Sequence, residues 1–377
     1  MSAELSLDIL DDWKGFGALK EEWNQLLRLS HADIVFLTWE WVEEWRAVNA
    51  ASAHPFLITV RNGGGELVGL APFYQAEYRF LQSVPYRIMR IMADYATGAE
   101  CLDWIARRDM EAAVYRAIAR KLKEASDRWD CIWMPYVPAW TGGADLISAA
   151  CREQELYCRT RRVDFGFLNL PDDHEVFFKS LSRNRRSELR RHLKGVLGNG
   201  RAVVVSRCLD PEDIPRYLDA LFDLHARRRN LLGDEGTFRR KPGEAVFYKK
   251  FFPVALEKGW LGLYGLAAAD GFKAVQAGYI YNHVFYQLQE GFDPDFKEGA
   301  GNVLRLKVVE DCIRRGVRCY DFLGEMTEHK RRWLAQPRLG SDVFIGNRKF
   351  KNNLLFAAGM WPTGRYLRPT LLPSPAL

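Results

Sequence analysis

Long apolar runs are missing from this sequence. No stretch of its 377 residues approaches the roughly 18 uncharged apolar positions that a membrane-crossing helix needs. The first residues carry Glu4, Asp8, Asp11 and Asp12 and no apolar centre, so no export signal is expected and the cytoplasm is the expected compartment. Cysteine pairs at metal or redox spacing are missing too. The seven cysteines (101, 131, 151, 158, 208, 312, 319) form no CxxC and no Cys/His pair at zinc spacing. Cys151 and Cys158 are seven apart, with a helix-to-strand switch between them, which makes a poor metal site. Reduced structural thiols and no bound metal are expected. With 30 glycines and 16 prolines the chain is too poor in both to be collagenous or disordered. Charge of one sign is scarce as well: 54 basic against 48 acidic residues leave +6, which fits a small anionic ligand as readily as nucleic acid.

What is present is an ordinary globular composition, 48% hydrophobic and 13% aromatic, at a length that suggests two or three domains. Hydrophobic spacing orders it. Lys14–Leu29 has helical periodicity, and Thr38 stands where a cap would open a helix holding Trp39, Trp41 and Trp45. At that spacing the tryptophans read as core rather than as a sugar platform. Residues 55–78 read as a hairpin about Asn62-Gly63-Gly64-Gly65, followed by helix 110–125 and strand 129–135. Strands are expected at 156–164 and 165–170, and a strongly basic helix at 183–197. Residues 260–290 read as an antiparallel meander, followed by helix 302–315 and strand 318–323. Hairpin or meander, helix and strand thus recur in the same order, which suggests one α/β unit repeated.

The segment 289–302 carries the most chemistry. Gln289 and Glu290 end a strand, a polar loop follows, and Gly299-Ala300-Gly301-Asn302 opens an amphipathic helix. Small residues let backbone amides approach an anion, and a helix N-terminus adds about half a positive charge. The segment has neither the P-loop nor the GxGxxG spacing, so nucleoside triphosphates and dinucleotides fit it poorly.

Entered from an antiparallel meander and followed by a helix and a strand, this turn resembles the acetyl-CoA site of the GNAT acyltransferase superfamily. Further segments resemble its CelD-like, FemAB-related branch: Phe167–Leu170, Phe177–Arg191, Leu224–Arg228, and Gly316–Glu325 followed by His329-Lys330-Arg331-Arg332-Trp333. The branch often has Ser-Pro-Gly where this chain has Gly299-Ala300-Gly301, and Tyr-Lys where it has His329-Lys330. The resemblance implies an α/β (α+β) fold of two tandem GNAT-like domains, each a mixed, mainly antiparallel sheet flanked by helices. We expect residues 1–164 without a donor site, 165–350 with an acyl-CoA site, and 351–377 as an apolar, proline-containing tail.

It also implies an N-acyltransferase that moves an acyl group, most simply acetyl, from CoA to an amine of a sugar or of a cell-envelope or exopolysaccharide precursor. Gln289 and the amides of Gly299, Ala300, Gly301 and Asn302 would hold the donor. Glu290, at a strand end, is the expected base, Asp321 an amine-orienting acid, and His225 a proton shuttle weighed against a packed histidine. Arg183, Arg186 and Arg190 share a helical face and would grip an anionic acceptor, with Glu325 and Lys330 beside it. Two other readings stay open: an aminoacyl-tRNA-dependent Fem-type transferase, and a non-catalytic member of a polysaccharide-synthesis machine. The tail leaves a partner or peripheral membrane contact open.

Overall fold

The computed structural model describes residues 4–80, 84–94, 96–198, 202–231, 233–296, 298–359 and 367–369, with backbone alone at 80 and 367–369. In chain order the elements begin β1 (Ser6–Leu10), α1 (Lys20–Arg28), α2 (Trp39–Asn49), β2 (His54–Arg61), β3 (Leu67–Phe80), β4 (Val84–Ile91), β5 (Ile105–Ala106), α3 (Glu111–Glu124), β6 (Cys131–Pro138), α4 (Gly143–Glu153) and β7 (Tyr157–Asn169). They continue α5 (His174–Ser180), α6 (Arg183–Leu197), β8 (Val204–Arg207), α7 (Ile214–Leu231), α8 (Thr237–Arg240), α9 (Pro242–Glu257), β9 (Leu261–Ala268), β10 (Gly271–Tyr281) and β11 (Val284–Phe292). Last come α10 (Ala300–Arg314), β12 (Cys319–Glu325), α11 (Glu328–Arg331), β13 (Gln336–Gly346) and α12 (Phe350–Ala357).

Contacts divide the chain into two units, Met1–Val163 with Leu339–Leu377, and Asp164–Arg338. The first unit therefore takes back residues 339–350, which the sequence reading places in the second domain. The reason is a strand pairing: Gly340–Gly346 of β13 runs antiparallel to β6. The expected break between strands 156–164 and 165–170 is also absent, because β7 is continuous and changes unit at Val163/Asp164.

Within the first unit the strand order is β1-β2-β3-β4-β6-β13. Neighbours are antiparallel except β4 and β6, which pair parallel at Ile88↔Cys131 and Met89↔Ile132. The hairpin turn forms where the glycines stand: the Asn62 side-chain carbonyl accepts from the amides of Gly64 and Glu66, each at 3.0 Å. Thr38 caps α2 by accepting from the Trp41 amide, and Trp41 and Trp45 are buried, as their spacing predicts.

The second unit repeats the order with β8-β9-β10-β11-β12 and the end of β7. Again one neighbouring pair is parallel: β11 and β12, matched at Val284↔Cys319, Phe285↔Tyr320 and Tyr286↔Asp321. Beyond Tyr286 and Asp321 the two strands part. On one face Val303, Leu304, Val308 and Cys312 of α10 pack on Phe285, Tyr320, Phe322 and Trp333. On the other face lie α7 and α9, with Phe251 and Phe252 edge-on to Tyr279 and with Leu224 against Gly291. A buried Phe or Leu side chain contributes about 1.5–3 kcal/mol, so these layers fix where β11 ends and α10 begins.

The expected apolar tail is described only in part. α12 holds Leu355 and Phe356 buried and Phe350 and Leu354 exposed. Met360, Trp361, Leu371 and Leu372 lie outside the described residues, as does the side chain of Leu367. Among the described residues no helix is long and apolar enough to cross a membrane.

Candidate active site

A residue inserted into β11 sets up the site. Gly278 pairs with Gln287 and Ala277 with Gln289, so Leu288 bulges out of the ladder. The bulge puts Gln287 and Glu290 on one face, although strands ordinarily alternate. Gln287 Nε2 donates to Glu290 Oε2 at 3.4 Å, and Tyr320 Oη donates to Gln287 Oε1 at 2.8 Å. This is the α10 face, just where β11 and β12 part.

Here a cavity of about 370 Å³ opens, lined by Arg228, Glu290, Phe292, Gly299–Asn302, Arg305 and His329, with Asp293, Pro294 and Phe296 at its side. One wall is the start of α10. Gly299 has φ +84°, a left-handed conformation that glycine alone adopts without strain. A Cβ on Gly299 would lie 2.6 Å from His192 Nδ1, and one on Gly301 would lie 2.9 Å from Phe292 Cδ1. The turn must therefore be built of small residues. Helix geometry leaves the first amides without an intrahelical carbonyl. Asn302 is the exception to the expected set of four: its amide turns back to the Gly299 carbonyl at 3.0 Å. Gly299, Ala300 and Gly301 remain as the amides a ligand would meet.

Glu290 lies opposite, held by ion pairs. Arg305 Nη2 bonds Oε2, and Arg228 Nη1 lies 3.5 Å from Oε1. Burial pushes the Glu290 carboxyl up, but the charges of Arg305 and Arg228 outweigh it and hold it below the usual range. Arg305 also donates to His329 Nε2. Desolvation, then the Arg305 charge, brings His329 down to about 4, so it is neutral at pH 7. Arg228 stacks over Phe292 at 4.3 Å.

The turn is supported from behind by α6. Arg185, 5% exposed, donates to Asn302 Oδ1 at 2.9 Å and to Glu188 at 2.8 Å, and lies over Trp333 at 4.4 Å. Glu188 is shared with Arg332 at 2.6 Å. Arg185, Arg228, Arg305 and Arg332 thus surround Glu188 and Glu290, Asp293 at the cavity's side is itself paired with Arg227 and Lys273, and the helix start adds positive character.

The geometry gathers Glu290, Gly299, Ala300, Gly301 and Asn302, and it separates the other expected residues from them. Gln289 points to the opposite face and donates to Glu244 at 3.2 Å. His225 lies on that face too, 3% exposed, edge-on to Phe238. Burial, then Arg229 and Arg228, lowers it to about 4, so it is a neutral packed histidine and not a shuttle in the cavity. Asp321 alternates with Tyr320 and Phe322 and so also faces away from α10. Burial pushes its carboxyl up to about 6, and Oδ1 accepts from the Leu323 amide at 2.8 Å.

Lys330 is not placed to bind substrate. Its ammonium donates to the carbonyls of Leu323, Gly324 and Glu325 and so closes the end of β12. Glu325 is exposed beside it. The arginine face is divided as well. Arg186 donates to the carbonyls of Lys179 and Leu181. Arg190 lies over Phe178 at 5.3 Å, beside a separate cavity, and Arg183 is exposed. Sequence reasoning assigns no cavity role to Arg228 and Arg305, and takes Arg185 and His192 only as members of the basic helix. Arg305 has a readable signal, a lone arginine amid Val303, Leu304, Leu306 and Val308. Among the described residues no group of three or more His, Cys, Asp or Glu side chains forms a metal set.

The first unit treats the corresponding place differently. Where β4 and β6 part, Arg90 is buried between Asp94 (2.6 Å), Tyr78 (2.7 Å) and the Trp133 ring (4.4 Å). α3 opens after Met110 without a side-chain cap and carries Glu111 in its first turn, which disfavours an anion.

Residues 183–331 match the model of the acetyltransferase (GNAT) domain family. The second unit thus carries a segment similar to GNAT domains. The matched GNAT segment runs from the start of α6 to the end of α11 and so contains the whole cavity. No curated protein matches the chain by sequence. Among solved structures the fold is similar to that of FemX, at 11% identity over 90% of this chain and 98% of that one, with a TM-score of 0.61. It is similar to a tandem GNAT protein from the clavulanic acid biosynthesis pathway, at 12% identity over 91% and 98%, with a TM-score of 0.50. It is also similar to the C-terminal domain of a putative lysylphosphatidylglycerol synthetase from Agrobacterium fabrum, at 9% identity over 91% and 96%, with a TM-score of 0.52. These likenesses establish the fold: two GNAT-like units in tandem, each a mixed and mostly antiparallel sheet with helices.

Proposed function

We propose that this GNAT-type acyltransferase takes its acyl group from acyl-CoA, most simply acetyl-CoA, and passes it to an amine of a sugar or cell-envelope precursor. The observation that carries the reading is the cavity walled by the Gly299–Gly301 amides, with Arg228 and Arg305 facing them. A diphosphate carries two negative charges, which suits guanidinium groups beside a helix start. The amides of Gly299, Ala300 and Gly301 would bind it and Arg228 would neutralise it, while Asn302 stays fixed by Arg185. The donor site belongs to the second unit alone, because the first has Glu111 at the helix start and Arg90 between its parting strands.

The acceptor amine must arrive neutral and lose a proton on attack. Glu290, held ionised by two arginines, is a weak base, and its part is to keep Arg305 and Arg228 in place. Attack is direct, from the amine to the thioester carbonyl, with thiolate leaving. Arg183 and Arg190, exposed on α6, would meet an anionic acceptor. Isothermal titration with acetyl-CoA tests the donor, and a mass-shift screen of amino-sugar nucleotides tests the acceptor. A donor that fails to bind at millimolar concentration removes the reading.

One observation favours an aminoacyl-tRNA donor instead. Glu290, Arg305 and His329 form a continuous polar bridge from β11 across α10 to α11 along the cavity. Arg183, Arg191 and Lys194 meanwhile stand exposed along α6. That reading predicts retention of charged tRNA with a steep loss of affinity as salt rises.

A further inference from the structure

Of the seven cysteines, all described, six are buried, and Cys158 alone is half-buried. Cys158 is the second residue of β7, and Cys151 lies on the last turns of α4. The helix-to-strand switch between them folds the chain back, so Cys158 lies against the α4 face on which Ser148 and Cys151 sit one turn apart. Ser148, one turn before Cys151 on α4, places its hydroxyl 3.6 Å from Cys158 Sγ. Arg152 follows Cys151 directly and adds a positive charge nearby.

We propose that Cys158 and Cys151 form an oxidisable dithiol in the first unit, a modification site at which a hydroperoxide converts the pair to a disulfide. The halves of the pair differ in a way that suits the two steps. Neighbouring Cys151, then Ser148 and the Arg152 charge, hold the Cys158 thiol below its ordinary range against desolvation. Neighbouring Cys158 and burial push Cys151 far up. Cys158, half-buried where Cys151 is buried, is the thiol a peroxide reaches and so the nucleophile, and Cys151 is the resolving thiol.

In the first step the Cys158 thiolate attacks a peroxide oxygen. An S–O bond forms, the O–O bond breaks, and hydroxide leaves to be protonated to water. In the second, Cys151 loses its proton and attacks the Cys158 sulfur. The S–S bond forms and a second water leaves. Two electrons pass from the sulfurs to the peroxide, and a dithiol reductant reverses the change. The product ties the end of α4 to the start of β7.

The test uses the full chain, hydrogen peroxide and peptide mass mapping. We expect loss of two hydrogens, mapped to a peptide pair linking Cys151 and Cys158, restored by dithiothreitol. Iodoacetamide should label Cys158 at least about tenfold faster than any other cysteine of the reduced protein. In Cys151→Ser, oxidation should stop at a Cys158 sulfenic acid that dimedone traps, and Cys158→Ser should give neither product. A disulfide mapping elsewhere, or Cys158 labelled no faster than buried Cys131 or Cys208, overturns the proposal. If Cys151→Ser does not fold, the wild-type mapping and labelling rates decide alone.

Discussion

Gly299→Ala is the perturbation that bears most directly on the cavity. It acts in two ways that can be separated. The left-handed backbone costs an L-residue about 1–2 kcal/mol. The new Cβ also meets His192 Nδ1 at 2.6 Å, so the turn, the imidazole or both must shift. A shift that misaligns one amide with a bound diphosphate removes a charge-assisted hydrogen bond worth about 1.5–3 kcal/mol, and about 1.4 kcal/mol is tenfold in affinity. The dissociation constant for acetyl-CoA should therefore rise about 10- to 100-fold. Gly259→Ala is the control, because Gly259 has φ +73° in the same unit and a Cβ added there would meet nothing within 4 Å. It carries the backbone strain alone. Calorimetric melting should fall for both variants, while isothermal titration should find weakened binding only for Gly299→Ala. Equal affinities in the two variants, within twofold of the parent, would refute the assignment of the turn as donor site.

Glu290→Gln leaves buried Arg305 without its carboxylate and should cost about 3 kcal/mol of stability by denaturant titration. Restoration of that stability in Glu290→Gln/Arg305→Met would confirm the ion-pair role, and an unaltered midpoint in the single variant would deny it. Asp321 has its pKa raised to about 6 by burial, so its contribution is fully present below the unfolded carboxylate pKa and is lost as pH rises through 6. Asp321→Asn should match the parent near pH 4 and exceed it at pH 8 by up to about 3 kcal/mol, read from pH-dependent melting. His225 titrates with the opposite sense: its lowered pKa makes its contribution present above the unfolded histidine pKa and lost as pH falls towards 4. His225→Gln should flatten the acid limb of the stability profile between about pH 6.5 and 4, and a limb of unchanged slope would count against it.

The repeated unit was legible because its signals are local. Asn62 with its glycines makes the hairpin, Thr38 caps a helix where it stands, and the Gly-Ala-Gly turn opens α10. Long-range pairings were not legible. Nothing around residues 340–346 announces that they pair with a strand two hundred positions earlier. Face assignment was the second loss. The Leu288 bulge turns Glu290 toward α10, while Gln289, Asp321 and His225 face the other way. Spacing alone treats strand-end residues as one group. The basic helix misled for a related reason: periodicity puts Arg183, Arg186 and Arg190 on one stripe. The residue of that helix that reaches the Gly299–Asn302 turn, Arg185, lies beside that stripe because Ser182 caps the helix and sets which side packs.

The closing pairing of β13 with β6 has a practical consequence for dissecting the molecule. The second unit is an insertion: it enters after Val163 and leaves at Arg338, and the polypeptide then completes the first unit's sheet. A fragment ending at Val163 would bare the outer edge of β6, a row of unpaired amides and carbonyls that invites aggregation. Excising 164–338 and joining the flanks with a short linker is the cut that respects the topology, whereas halving the gene at its midpoint severs both folds.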